Sequence, residues 1–188
     1  LAGGLDLVSP AITKQPGRTL LAENYECLMS GGYRRVDGYA LYDGATSAAV
    51  VPGSGPIRGI WEYGGDVYAF RNNAGGTKCV MHKASVSGWQ SVYTNFPANG
   101  HYRFVNYNFT GHAGTEKMYG VNGVGKAFQF DGTAVTLLTT GMTTDIPLHV
   151  GAHKNHLFLA FSGGSLQHSG INDPTSWTLL TGAGEIGM

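Results

Sequence analysis

The stretch that decides the fold is residues 56–70, PIRGIWEYGGDVYAF. Two runs of strand-forming residues flank Gly64-Gly65, a pair that tolerates the positive φ of a tight hairpin turn. The run continues through RNNAGGTKCVMHKASVSGWQSVYT to residue 94. Read as a whole, it is strand, turn, strand, turn, strand, turn, strand. Glycine or asparagine clusters punctuate the short apolar runs.

Two further stretches can be laid over this one: HYRFVNYNFTGHAGTEKMYGVNGVGKAFQFDGTAVTLLTT from residue 101, and IPLHVGAHKNHLFLAFSGGSLQHSGINDPTSWTLLTG from residue 146. The inner strands align best, with Val67–Phe70, Lys117–Val121 and Leu157–Phe161 each following a polar or glycine turn. Trp89 and Trp177 align in the last strands of the first and third modules. They stand 88 residues apart, two repeats of about 44, as four-stranded propeller blades require. The expected fold is therefore all-β, a partial β-propeller with blades over about 56–97, 98–142 and 143–188. Propellers close with about four to eight blades, so three imply that more chain belongs to the ring.

Residues 1–55 read differently. Pro10, Pro16 and Gly17 interrupt the first 24 residues, which suit an extended arm. GGYRRVDGYALYDG at 31–44 alternates as half of a hairpin, placing Tyr33, Arg35, Asp37 and Tyr39 on one face and Arg34 on the other. A small-residue link, ATSAAVVPGSGP, closes this segment near residue 55.

Charge narrows the function. Lys and Arg total 12 and so do Asp and Glu, so no field attracts a polyanion or an acidic membrane from a distance. Thirty glycines and seven prolines, spread between apolar runs, fit many short strands with tight turns. Two cysteines, Cys27 and Cys79, are too few for a disulfide scaffold and read as reduced core thiols. No apolar run approaches the roughly 18 residues of a membrane span, and the expectation is a soluble protein made in the cytoplasm.

PGRTLLAENYECLMSGGYRRVDGYALYDG, the blade opening PIRGIWEYGGDVYAF and the later SGINDPTSWTLL resemble structural proteins of tailed bacteriophages, nearest to the propeller-bearing tail hub or nozzle proteins of short-tailed phages. The resemblance implies a virion protein assembled in the host cytoplasm. Its partners would be copies of itself in a six-fold ring, with adaptor and fibre proteins as neighbours. DNA would pass through the ring without specific binding. It implies no catalysis, no cofactor and no membrane anchor, with Arg34 and Arg35 engaging Asp37, Glu26 or a neighbouring subunit.

Several constellations point to other chemistry. In HVGAHKNHLF, a two-residue turn at Lys154-Asn155 sets His153 opposite His156, with His149 four residues before; no third metal ligand is indicated. SGINDPTSWTLL and SVSGWQSV resemble the Asp-box of sialidases, itself structural, with Asp173-Pro174 breaking the spacing. A propeller hydrolase would also need an arginine triad, and nothing in the spacing of Arg58, Arg71 and Arg103 assembles one. Gly123, Gly125 and Lys126 evoke a phosphate loop, but KAFQFDG after them alternates as a strand where such a loop needs a helix. Tyr63, Tyr68, Tyr102 and Tyr107 would serve a carbohydrate-binding propeller if exposed, whereas sheet packing is their ordinary use.

Overall fold

The structure is a computed structural model describing residues 24–27, 33–36, 38, 50–178 and 184–186. Every regular element among the described residues is a strand, and no helix is long and apolar enough to cross a membrane. Contacts divide the chain into two compact units, Leu1–Ala40 and Leu41–Met188.

In the first unit, β1 (Tyr25–Cys27) and β2 (Tyr33–Arg35) form an antiparallel pair, with Tyr25 opposite Arg35 and Glu26 opposite Arg34. The Val36 amide donates to the Asn24 carbonyl at 2.8 Å and extends the ladder. Asp37 and Tyr39 lie outside the described residues.

The second unit holds three four-stranded antiparallel sheets, each with its strands in chain order. The first comprises β3 (Ser54–Tyr63), β4 (Asp66–Asn72), β5 (Lys78–Ser85) and β6 (Gly88–Pro97). The second comprises β7 (Arg103–Tyr107), β8 (Lys117–Val121), β9 (Phe128–Phe130) and β10 (Val135–Leu137). The third comprises β11 (His149–His153), β12 (His156–Ala160), β13 (Leu166–His168) and β14 (Gly184–Ile186). Consecutive hairpins suit the sequence because the turns carry residues that tolerate positive φ: Gly64-Gly65 between β3 and β4, and Lys154-Asn155 (φ 45° and 61°) between β11 and β12.

The sheets stack face to face, and the registers show how. Gly59, Phe70 and Met81 form one row across the first sheet. In that row, the Phe70 ring stacks on Tyr102 at 4.4 Å and approaches Phe104 and Phe128 of the second sheet side. Val105, Tyr119 and Gln129 form a row of the second sheet, on the face opposite Phe104 and Phe128. Tyr119 packs with Leu157 and Leu159 of the third sheet. The second sheet therefore shows one face to the first sheet and the other to the third, and two aromatic-rich cores fill the spaces between. The first strands β3, β7 and β11 are neighbours in the same order.

Hydrogen bonds between sheets fix this stacking. The Trp61 indole N–H donates to Asn106 Oδ1 at 2.8 Å, while Asn106 Nδ2 donates to the Glu62 carbonyl at 2.9 Å. Tyr107 OH donates to Asn155 Oδ1 at 2.9 Å between the second and third sheets. Tyr63 OH donates to the Glu116 carbonyl at 2.7 Å. Buried donors thereby find partners where two sheets meet.

The expected equivalence of Trp89 and Trp177 does not hold. Trp89 lies on β6, the fourth strand of its sheet, whereas Trp177 lies in the irregular segment after β13. A local turn claims it: Asp173 accepts from the Thr175 amide and hydroxyl at 2.9 and 2.6 Å, and the Trp177 indole donates to the Pro174 carbonyl at 3.1 Å. The repeat is carried by the first hairpins instead, where Trp61-Tyr68, Val105-Tyr119 and Gly151-Phe158 each stand two residues in from the last pair.

Candidate functional site

The row that matches Trp61-Tyr68 and Val105-Tyr119-Gln129 is, in the third sheet, Gly151-Phe158-His168. On its face the sheet carries His149 and His153 from β11, His156 and Phe158 from β12, and Leu166 and His168 from β13. Phe158, His156 and His168 are half-buried, although Tyr68 and Tyr119 at the matching position are 1% and 2% exposed. This face is the candidate interface.

Its local chemistry is specific. The turn Lys154-Asn155 sets His153 directly opposite His156, as its two-residue length requires. The His156 Nδ1 lies 2.6 Å from the Ser169 carbonyl and the His168 Nδ1 lies 3.1 Å from the same oxygen. A carbonyl only accepts, so both rings donate from Nδ1 when they engage it, which leaves each Nε2 as the acceptor of the neutral ring. The two imidazoles meet edge to face, centroids 5.0 Å apart, and His168 lies 5.8 Å from the Phe158 ring. Among the described residues no group of three His, Cys, Asp or Glu side chains converges to hold a metal ion.

A second feature is a cleft of about 400 Å³ where the β3–β4 turn meets the loops of the second sheet. Asp66, Lys83, Glu116 and Asp131 line it beside Tyr63 and Tyr68, and Lys83 pairs with Asp66 at 2.5 Å. Amide donation from Ala134 and Thr133 holds the Asp131 carboxyl below its ordinary value. Burial, then the Asp66 charge, pushes the Tyr68 phenol up to about 12. Tyr63, Tyr68 and Tyr102 are only 8%, 1% and 8% exposed. Their rings are committed to the core between sheets and offer no open face for a sugar to stack on.

The remaining residues singled out by sequence are dispersed. Arg58 donates from Nη2 to Asn99 Oδ1 at 2.9 Å, Arg103 donates to the Leu148 carbonyl at 2.9 Å, and Arg71 donates to the carbonyls of Val51 and Gly55 at 2.5 and 2.9 Å. Each serves a different backbone or amide partner. Gly123, Gly125 and Lys126 lie between β8 and β9, and Asn122 Oδ1 accepts from the Val124 and Gly125 amides at 3.1 and 2.9 Å. That side chain closes a turn rather than a phosphate cradle. Arg34 forms an ion pair with Glu26 across the first hairpin. Cys79 is a buried free thiol, pushed up mainly by burial.

Sequence reasoning missed His82 altogether. It is 3% exposed, and neither ring nitrogen makes a well-aligned hydrogen bond, although the Pro52 carbonyl stands close enough to favour the protonated ring. The only signal was its place in KCVMHKAS, a strand buried on both faces.

No protein-family model matches the chain, and neither the curated proteins nor the solved structures contain a significant match to it.

Proposed function

We propose that the chain is a structural, non-enzymatic segment of a β-propeller in the tail ring of a short-tailed bacteriophage, through which the genome leaves the virion. The observation that carries the reading is the repeated stacking of four-stranded sheets in chain order, first strands side by side, on matching rows Trp61-Tyr68 and Val105-Tyr119. The third row, Gly151-Phe158, has the same make and fits a further sheet of the ring. The hairpin supports the reading too: Arg34 is engaged by Glu26, as an architectural arginine would be, and adjacency on a strand points Arg35 to the other face. A phosphate track would need both on one side.

In this reading the channel transmits DNA without gripping it, consistent with balanced charge. The six-fold ring and the adaptor and fibre neighbours follow from the phage resemblance. Light scattering and negative-stain imaging of the purified protein should reveal a closed ring. A small oligomer that binds a glycan array would replace this proposal with a carbohydrate-binding propeller, and turnover of a glycoside would replace it with a propeller hydrolase.

A further inference from the structure

The far face of the first sheet, away from the second, carries Ala69 and Arg71 on β4, Val80, His82 and Ala84 on β5, and Ser91 on β6. It is the face through which the second and third sheets receive their predecessors. Ala69, Val80, His82 and Ala84 are nevertheless buried, at 1%, 7%, 3% and 6% exposure. Residues 50–55 run to this place. Arg71 grips them twice, at the Val51 and Gly55 carbonyls, and Ser54 Oγ donates to the Asn73 carbonyl at 2.7 Å. Gly53, at φ 127°, lies so close to β4 that a Cβ there would stand 2.0 Å from the Asn72 carbonyl oxygen. Only glycine fits both the angle and the approach.

We propose that residues 50–55 are an acid-released latch, closed over the far face of the first sheet above an uncharged His82 and opened when that imidazole takes a proton from solvent. The cation would be created in a buried site where the Pro52 carbonyl is the only acceptor that favours it, so at least one ring N–H would go without a partner, and burying a poorly paired charge is among the costliest events in a protein. The charged groups facing that ring do not relieve it. Arg71 on β4 is already cationic, Lys78 stands four residues before His82 on its own strand, and Glu62 on β3 accepts from the Gly65 amide at the turn end, 2.8 Å away from it. From β6 the opposed residue is the neutral Ser91.

Burial is the main cause that pulls His82 below its ordinary 6.5; the Pro52 carbonyl pulls it partly back, and Arg71 adds to the depression. A depressed histidine makes the closed state fully favoured above 6.5 and progressively less so as pH falls toward the lowered value. One proton links to opening, so the closed-to-open ratio falls by a factor approaching ten per pH unit in that window.

Hydrogen exchange followed by mass spectrometry, corrected for intrinsic rates, tests it on the whole chain between pH 7.5 and 5. Protection of residues 50–58 should fall severalfold to tenfold on acidification, while residues 66–72 on β4 keep theirs. In His82→Phe the protection should be independent of pH, and in Arg71→Gln it should be low at both ends. Should His82→Phe misfold, His82→Gln carries the same expectation. Acid loss that persists in the neutral variant, wild-type protection that ignores pH, or equal loss in β4 would each overturn the latch.

Discussion

Adding one methyl group at Gly120 tests whether the sheets are stacked as described. Gly120 sits mid-strand on β8, between Phe104 on β7 and Phe128 on β9, and all three share a row. A Cβ there would meet Phe128 ring atoms at 2.4 and 2.6 Å and a Phe104 ring atom at 3.1 Å. Phe128 is fully buried and wedged against Phe70, Phe96 and Tyr102, so its ring has little room to retreat. Overpacking a filled core costs about 1–3 kcal/mol. Alanine recovers about 0.5–1 kcal/mol through its lower unfolded-state entropy, which leaves a net destabilisation of up to about 2.5 kcal/mol, toward the upper end where, as here, the ring cannot retreat. Urea unfolding should show a lowered midpoint at unchanged slope. Phe128→Leu removes the obstructing ring edge, so the double variant should be more stable than the two single effects predict, by about 1 kcal/mol. A Gly120→Ala protein as stable as wild type, or strict additivity in the cycle, would refute the packing of ring over glycine.

Asn106→Ala removes both the acceptor of the Trp61 indole and the donor to the Glu62 carbonyl, and should cost about 1–3 kcal/mol, read as a lower thermal midpoint. Acid should also weaken the sheet body through its turns. Asp131 and Asp173 are held below the ordinary 3.8 by hydrogen bonds, chiefly from Ala134 and Thr175 respectively. Their contribution is present above 3.8 and lost as pH falls through the depressed values, so Asp131→Ala and Asp173→Ala should flatten the stability profile below about pH 4. Replacing Arg34 and Arg35 together by Ala should reduce assembly yield and leave DNA retention on a low-salt column unchanged; lost retention with intact assembly would reverse that assignment.

Some of this architecture is legible in the chain because local chemistry dictates it. Lys154-Asn155 between two apolar runs admits little besides a two-residue hairpin, and the pairing of His153 with His156 follows from that length. The second strands of the three sheets are equally plain, since Val67–Phe70, Lys117–Val121 and Leu157–Phe161 are short apolar runs after turn residues. Trp177 deceived because tryptophan spacing says nothing about whether a ring lies on a strand or folds back on an Asp-Pro turn. The hold on residues 50–55 was invisible for a different reason. VVPGSGP has the composition of a linker, and only the meeting of its carbonyls with Arg71, twenty residues on, makes it part of the sheet body. The aromatic tyrosines were ambiguous between ligand and core because both uses want the same side chain, and burial commits Tyr63, Tyr68 and Tyr102 to the core.

Sheets laid down in chain order also set a timetable. A ribosome delivering this chain releases the first sheet with its Phe70 row wet, and that row dries only when Phe104 and Phe128 have been synthesised. The second sheet in turn waits on Leu157 and Leu159. Folding therefore trails translation by one sheet, and at every moment a single sticky aromatic face is on offer to whatever β-surface arrives first. Slow codons or a pause after the second sheet would lengthen that exposure, so this interval is where misassembly with another nascent copy would begin.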